Sequence, residues 1–284
     1  MTRFAYVNGL YCPHSEAMVH VEDRGYQFAD GVYEVIALHR GRFVDEQPHL
    51  ERLDRSLFEL RIGWPMAPAV LKLVMRELVR RNGLRDGSIY IQVTRGVAPR
   101  DHAFPKTRVE PGLVMTTRRA KSIPAAALRD GVAVVTIPDI RWGRCDIKSV
   151  GLLPNVLGKQ AALEAGAYEA WQVNAQGVVT EGTSTNAWIV TREGRVVTHP
   201  PGPQILNGVT RLTVLRLAAE SQIAVEERPF TLAELKAARE AFLTSTSSHV
   251  LSVTRVDGAP VGDGKPGRIA RRLRELYLAE LERA

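Results

Sequence analysis

The chain has 284 residues, 45% of them hydrophobic and 24% charged, which suits a soluble globular protein of about two domains. No apolar run approaches the roughly 20 residues that a membrane helix requires, and the start, residues 1–9, enters a hairpin-like pattern with no signal-peptide core. The net charge of +7 admits a nucleic-acid partner, yet the basic residues are scattered apart from Arg80-Arg81, Arg118-Arg119 and the tail 267–274, with no helix-turn-helix, RNP or zinc pattern beside them. An anionic small molecule accounts for the charge equally well, so neither a nucleic acid nor a membrane is expected as a partner. Cys12 and Cys145 form neither a CxxC pair nor a zinc spacing. A reducing cytoplasm is therefore the expected setting, without a metal.

In chain order, Asn8-Gly9 marks a hairpin turn between residues 4 and 11. Residues 32–38 read as a strand that turns at Arg40-Gly41 toward Phe43-Val44. Past Pro48, Leu50, Leu53, Leu57 and Leu60 recur at helical spacing and predict an amphipathic helix to about Arg61. A second helix covers 70–81 and closes at Asn82-Gly83. Strands follow at 88–94 and 113–117. The polar run 118–122 reads as a linker between an N-terminal domain, 1–117, and a cofactor-binding domain, 123–284. The second domain opens with a strand at 132–137 and a helix at 154–165, then strands at 168–173, 178–180, 187–190 and 196–198. Helices at 209–220 and 232–238 precede strands around 241–243 and 250–256. The tail alternates apolar and basic positions at helical spacing, as a solvated terminal helix does. Mixed antiparallel strands with interspersed helices argue for an α+β fold in two domains.

Chemistry enters through lysine usage. Of the 38 basic residues only seven are Lys (72, 106, 121, 148, 159, 236 and 265), and Arg cannot form an imine because its guanidinium stays protonated. Lys148 stands between Ile147 and the segment Val150-Gly151-Leu152-Leu153, shortly after the apolar run 132–137. Apolar surroundings favour the neutral amine that covalent catalysis needs, although a surface lysine beside a strand end is the ordinary alternative. Imine chemistry on an amino substrate calls for an electron sink, usually pyridoxal phosphate. Such a cofactor asks for a lysine, a carboxylate facing the ring nitrogen and a cup for a phosphate. Glu181 in Val178-Val179-Thr180-Glu181-Gly182-Thr183-Ser184-Thr185-Asn186 offers the carboxylate, or is merely a strand-end Glu. Gly208-Val209-Thr210-Arg211 opens a helix whose free N–H groups suit an anion, or is a plain helix start. The hydroxyl cluster 244–248 and Arg52 could complete the cup.

Three stretches carry a resemblance. They are Glu22-Asp23-Arg24-Gly25-Tyr26-Gln27-Phe28-Ala29-Asp30-Gly31-Val32-Tyr33-Glu34-Val35, Val93-Thr94-Arg95-Gly96 and Arg141-Trp142-Gly143-Arg144-Cys145-Asp146-Ile147-Lys148-Ser149. Together with Val179-Thr180-Glu181-Gly182 and Leu243-Thr244-Ser245-Thr246, they closely resemble the D-amino-acid aminotransferases, a group of the class IV aminotransferases with fold type IV. The likeness spans nearly the whole chain, and its motifs are long and specific. It implies a two-domain, pyridoxal 5'-phosphate-dependent homodimer with its cofactor site at the domain interface. By the resemblance, Lys148 matches the Schiff-base lysine and Glu181 the partner of the pyridine nitrogen. Arg52, Val209, Thr210 and Thr246 match positions around the phosphate, and Ser184 joins the cofactor contacts. Tyr33, Arg100 and His102 match the group that holds the substrate carboxylate, the last two reaching in from the neighbouring subunit.

Two positions depart from that pattern. Asp101 puts an acid between the trap residues where a small residue is expected, and Asn207 stands where the family often has Lys. The resemblance thus implies a cytoplasmic transaminase moving amino groups between D-amino acids, of the D-alanine and D-glutamate type, and keto acids such as pyruvate and 2-oxoglutarate. Its rivals within the fold are branched-chain L-amino-acid aminotransferases, R-selective amine transaminases and aminodeoxychorismate lyases, and the Arg100/His102 pair argues against all three. A basic nucleic-acid-binding protein is the rival from another class.

Overall fold

A computed structural model describes residues 3–283, so the first two residues of the expected hairpin start and the last residue of the tail lie outside it. The chain divides into two compact units, Met1–Lys121 with Ile147–Gly151, and Ser122–Asp146 with Leu152–Ala284. Both mix helices and sheet, and the α+β expectation is borne out.

The first unit is built on a six-stranded antiparallel sheet in the order β2-β1-β6-β5-β3-β4. Strands β1 (Phe4–Val7) and β2 (Leu10–Pro13) form the expected hairpin, with Asn8 and Gly9 at φ 45° and 100°. Positive φ at both turn residues matches the twist of paired strands, and Asn-Gly tolerates it best. A short helix α1 (Arg24–Phe28) follows, capped by the Asp23 carboxylate, which accepts from the Gly25 N–H at 2.8 Å. Next come β3 (Gly31–His39), β4 (Arg42–Phe43), α2 (Glu46–Leu60), α3 (Pro68–Arg81), β5 (Gly87–Thr94) and β6 (Gly112–Arg119). Leu50, Leu53 and Leu57 of α2 and Leu71, Met75 and Leu78 of α3 are buried with Val32, Ile36, Ile89 and Ile91 of the sheet in one core. Ile147 joins that core. The last two residues of β6, Arg118 and Arg119, pair with Ser88 and Gly87. Their polarity marks an exposed strand end, since ladder bonds are made by the backbone whatever the side chain.

The second unit opens with α4 (Ala125–Asp130), β7 (Val132–Pro138), α5 (Leu153–Glu164), β8 (Glu169–Val173), β9 (Val178–Gly182), β10 (Asn186–Val190) and β11 (Val196–Thr198). It continues with α6 (Val209–Glu220), β12 (Val225–Glu227), β13 (Phe230–Thr231), α7 (Leu232–Ala237), β14 (Glu240–Ser245), β15 (His249–Val256), β16 (Ala259–Pro260) and α8 (Arg268–Arg283). Its sheet runs β12-β11-β10-β14-β15-β7-β8-β9-β13, with β16 on β15. Strand β7 is parallel to both β8 and β15. Parallel neighbours need a long crossover, and the one from β7 to β8 contains the Lys148 segment and α5. Trp171, Trp188, Phe230 and Phe242 are fully buried in this unit. Each such side chain adds roughly 1.5–3 kcal/mol of hydrophobic stabilisation. Among the described residues no helix is long and apolar enough to cross a membrane, and no His/Cys/Asp/Glu group could hold a metal ion.

Candidate active site

In the first unit, the segment Ile147–Gly151 lies along the start of β3. The Tyr33 N–H donates to the Lys148 carbonyl at 2.9 Å and the Val150 N–H to the Gly31 carbonyl at 3.0 Å. The Lys148 N–H donates to the hydroxyl of the fully buried Ser56 at 3.3 Å. With its backbone fixed, Lys148 sends its side chain over the ring of Tyr33, Nζ lying 4.3 Å from the centroid. The Tyr33 ring stacks in turn on Tyr90 at 5.6 Å. Burial first, and then the nearby Tyr33 phenol, pushes the Tyr90 hydroxyl up to about 12.

Arg52 stands on α2. Its Nε and Nη2 donate to the two oxygens of Glu34, at 2.7 and 2.9 Å, and Glu34 also meets His49 Nδ1 at 2.7 Å. Glu34 is wholly buried. Burial alone would raise its pKa, but the Arg52 charge and the hydrogen bonds from Arg52 and His49 outweigh it and bring it to about 2. Burial pulls His49 below the usual imidazole range. This fork-to-fork pair fixes the plane of the Arg52 guanidinium.

Arg100 and His102 sit together on the loop after β5, both exposed. They pack on Phe28, with the Arg100 guanidinium 5.2 Å and the His102 ring 5.4 Å from its ring centroid. Tyr33 packs on Tyr90 and Lys148 instead.

The second unit holds the carboxylate. Glu181, 6% exposed on β9, receives the Leu206 N–H at 3.1 Å on each oxygen, Asn186 Nδ2 at 3.1 Å and a short contact from Arg141 Nη1. Arg141 is also forked onto Asp139 at 2.9 and 2.7 Å and reaches Thr180 Oγ1 and the Gln204 carbonyl. Burial opposes its charge, but Asp139 and Glu181 more than compensate and raise its pKa further. Burial foremost, with help from Glu181 and Asp139, pushes the Cys145 thiol up to about 11, so it is an inert neighbour.

The loop that donates Leu206 N–H leads into α6. Asn186 also donates to the Leu206 carbonyl at 2.9 Å, and a Cβ on Gly208 would lie 2.2 Å from Asn186 Oδ1. Only glycine permits that approach. Gly208 is the N-cap of α6 with no side-chain cap, so Val209 and Thr210 head a helix whose first N–H groups have no side-chain acceptor. Ser184, in the turn from β9 to β10, donates to the buried Glu169 at 2.9 Å. Thr246 lies one residue past β14, whose Thr244 is in register with Asn186. The register puts Thr246 at the sheet end where β9 turns into β10. Asn207, at the variant position, accepts from the fully buried Arg211 at 3.1 Å.

The donor set suits pyridoxal phosphate. The first unit offers an amine on a fixed backbone and a guanidinium locked in plane, and the second, taken by itself, a buried carboxylate held by several donors and a helix start without a side-chain cap. Residues 31–256 match the family described as Amino-transferase class IV. The chain belongs to the class IV aminotransferases. It is 42% identical to a D-alanine aminotransferase of Staphylococcus haemolyticus over 98% of this chain and 97% of that one. It is also 44% identical to one of Bacillus licheniformis, over 93% and 92%. Among solved structures, a branched-chain amino acid aminotransferase of Thermobaculum terrenum in its PLP-bound holo form superposes with a TM-score of 0.83. That likeness is at 25% identity and covers 99% of this chain and 94% of that one. Membership makes this chain a pyridoxal-phosphate-dependent transaminase and bears out the resemblance read from the motifs.

Sequence reasoning gave no role to Arg141, Asp139, Asn186, Ser56 or Phe28. Arg141, Phe28 and Asn186 stand inside quoted runs, but Arg141 meets Glu181, Phe28 meets Arg100 and His102, and Asn186 meets Leu206 only in the fold.

Proposed function

We propose that this chain transfers amino groups between D-amino acids and α-keto acids, with D-alanine, D-glutamate, pyruvate and 2-oxoglutarate as the substrate type. The observation that carries this reading is the 42–44% identity, over nearly the full chain, to proteins described as D-alanine aminotransferases. The mounting of Arg100 and His102 side by side on Phe28 supports it. The branched-chain enzymes share the fold at lower identity, 25% in the Thermobaculum terrenum case.

In this reading Lys148 holds the cofactor and then carries the proton at the substrate Cα. Bound pyridoxal phosphate supplies the sink for the electron pair released there. Glu181 would face the ring nitrogen and favour its protonated form, and the donors from Leu206, Asn186 and Arg141 hold the Glu181 carboxylate in place. Arg52, Ser184, Val209, Thr210 and Thr246 are cofactor contacts, chiefly to the phosphate. Tyr33, Arg100 and His102 hold the substrate carboxylate, with Arg100 and His102 serving the partner's site in a cytoplasmic homodimer. Two half-reactions on one site make the kinetics ping-pong. The test is kcat/KM for D-alanine, L-alanine and a small R-amine, with pyruvate or 2-oxoglutarate as acceptor. Preference for D-alanine is expected, and preference for an L-amino acid or the amine overturns the reading.

A further inference from the structure

The loop that carries Arg100 and His102 is anchored at two points that share one carboxylate. Asp30 Oδ2 accepts from Arg24 Nε at 2.8 Å and from Arg95 Nε at 2.7 Å, and Asp30 Oδ1 accepts from Arg95 Nη2 at 2.9 Å. Both arginines are buried, at 3% and 8% exposure. Burial alone would raise the Asp30 carboxyl, but the hydrogen bonds from Arg95 and Arg24 outweigh it and hold its pKa below the usual range. One carboxylate cannot use every donor of two guanidiniums, and a buried donor needs an acceptor. The backbone of the trap loop supplies it. Arg24 Nη1 donates to the Asp101 carbonyl at 2.6 Å, and Nη2 to that of His102 at 3.4 Å.

Arg95 ties the other end. Its Nη1 and Nη2 reach the carbonyls of Arg61 and Leu60, where α2 ends, at 3.1 and 2.8 Å. Its guanidinium lies 3.7 Å from the ring centroid of Phe104, beyond the trap tip. Phe28 completes the clasp, with the Arg24 guanidinium 4.9 Å and the Arg100 guanidinium 5.2 Å from its centroid. Its π-face thus attracts each of two cations that would otherwise repel one another.

We propose that Asp30, Arg24 and Arg95 are positioning residues for the substrate carboxylate. They hold the Arg100–His102 tip in its binding shape before substrate arrives, so that ordering the loop is not charged against affinity. This rests on the trap role given to Arg100 and His102 above. Asp101 at the tip accepts twice, from Arg24 through its backbone carbonyl and from the Ala103 N–H through its carboxylate at 3.2 Å.

The experiment uses the holoenzyme and two variants, Arg24→Lys and Phe104→Leu, with hydrogen exchange of residues 100–104 read beside KM and kcat for D-alanine. Exchange at 100–104 is expected to quicken while β3 and β5 keep their protection. KM should rise about tenfold in Arg24→Lys, the scale of one charge-assisted hydrogen bond, with kcat within about a factor of two. Unchanged exchange at 100–104 in both variants overturns the clasp, as does a fall in kcat at constant KM. Should Arg24→Lys lose protection across the sheet, Phe104→Leu, altered only at a half-exposed ring, decides alone. Wild-type protein without activity on D-amino acids removes the trap reading, while the exchange data still decide whether these residues order the loop.

Discussion

At the scale of single residues, charge is placed where neighbours can hold it. Glu181 has donors on both oxygens, and Arg141 keeps its fork onto Asp139 whatever Glu181 becomes. Glu181→Gln keeps one acceptor oxygen but turns an amide N–H toward a former donor, so its fold is checked by circular dichroism, and it should slow proton transfer at the substrate Cα by about 10²–10³, the usual scale for removing one preorganised charge. Single-turnover kinetics with D-alanine measure this, and an unchanged rate takes Glu181 out of the mechanism. Glu34 gives a second prediction. Its folded pKa of about 2 lies below the unfolded carboxylate value, so its contribution is fully present above about pH 4.3 and is lost as pH falls toward 2. That contribution is on the order of 3 kcal/mol. His49 acts in the same direction, because below about pH 6.5 the unfolded chain takes up its proton first. Glu34→Gln should be less stable at neutral pH, with the Glu34 charge withdrawn from Arg52, yet should lose less on acidification. Urea unfolding at pH 7, 5 and 3 compares the slopes, and parallel curves for the two proteins would rule this out.

At the scale of elements, much was legible. The spacing 209–220 and 232–238 predicts helices where α6 (Val209–Glu220) and α7 (Leu232–Ala237) lie, and Asn8-Gly9 turns where expected. What escaped is short or non-local. Helix α1 (Arg24–Phe28) has five residues, too few for a period to register, and exists because Asp23 caps it. The parallel pairing of β7 with β15 joins strands more than a hundred residues apart, and no local pattern encodes it. The site divides the same way. Lys148 and Glu181 can be proposed from their runs alone, whereas the bridge from Arg141 to Glu181 joins positions forty residues apart and no local pattern announces it. Backbone strain is local and testable. Gly96 has φ +99°, and a Cβ there would lie 2.1 Å from the Glu110 carbonyl oxygen. Gly96→Ala should cost about 2–3 kcal/mol, from the left-handed backbone and the clash together. Thermal unfolding reads it, and a change under about 1 kcal/mol would show that the loop relaxes freely.

At the scale of the whole molecule, the proposed dimer makes a stoichiometric prediction. If Arg100 of one subunit serves the partner's Lys148, the variants Lys148→Ala and Arg100→Ala are each impaired as homodimers. A mixed dimer of the two then has one fully intact site and one doubly damaged site. Random reassortment of equal amounts should restore about a quarter of wild-type activity, since half the dimers are mixed and each has one working site of two. No gain on mixing, under conditions where subunit exchange is verified by mass, assigns Arg100 to its own subunit's site. The exposed apolar residues Met18, Val21 and Tyr26 are natural candidates for the surface such a dimer would cover.

The seat of Lys148 on β3 has a mechanical corollary. Two hydrogen bonds grip the Lys148 backbone and a third holds Val150 two residues on, so the residue is a lever on a stationary pivot with an arm of about 6 Å. Its stroke belongs to the side-chain torsions alone, and the tyrosine ring beneath it closes off part of the swing. A lever of that kind can call at one side of whatever lies in reach and cannot travel round to the other. If Lys148 carries the proton as proposed, handedness in the product becomes a matter of clearance, fixed by where the pivot is bolted down.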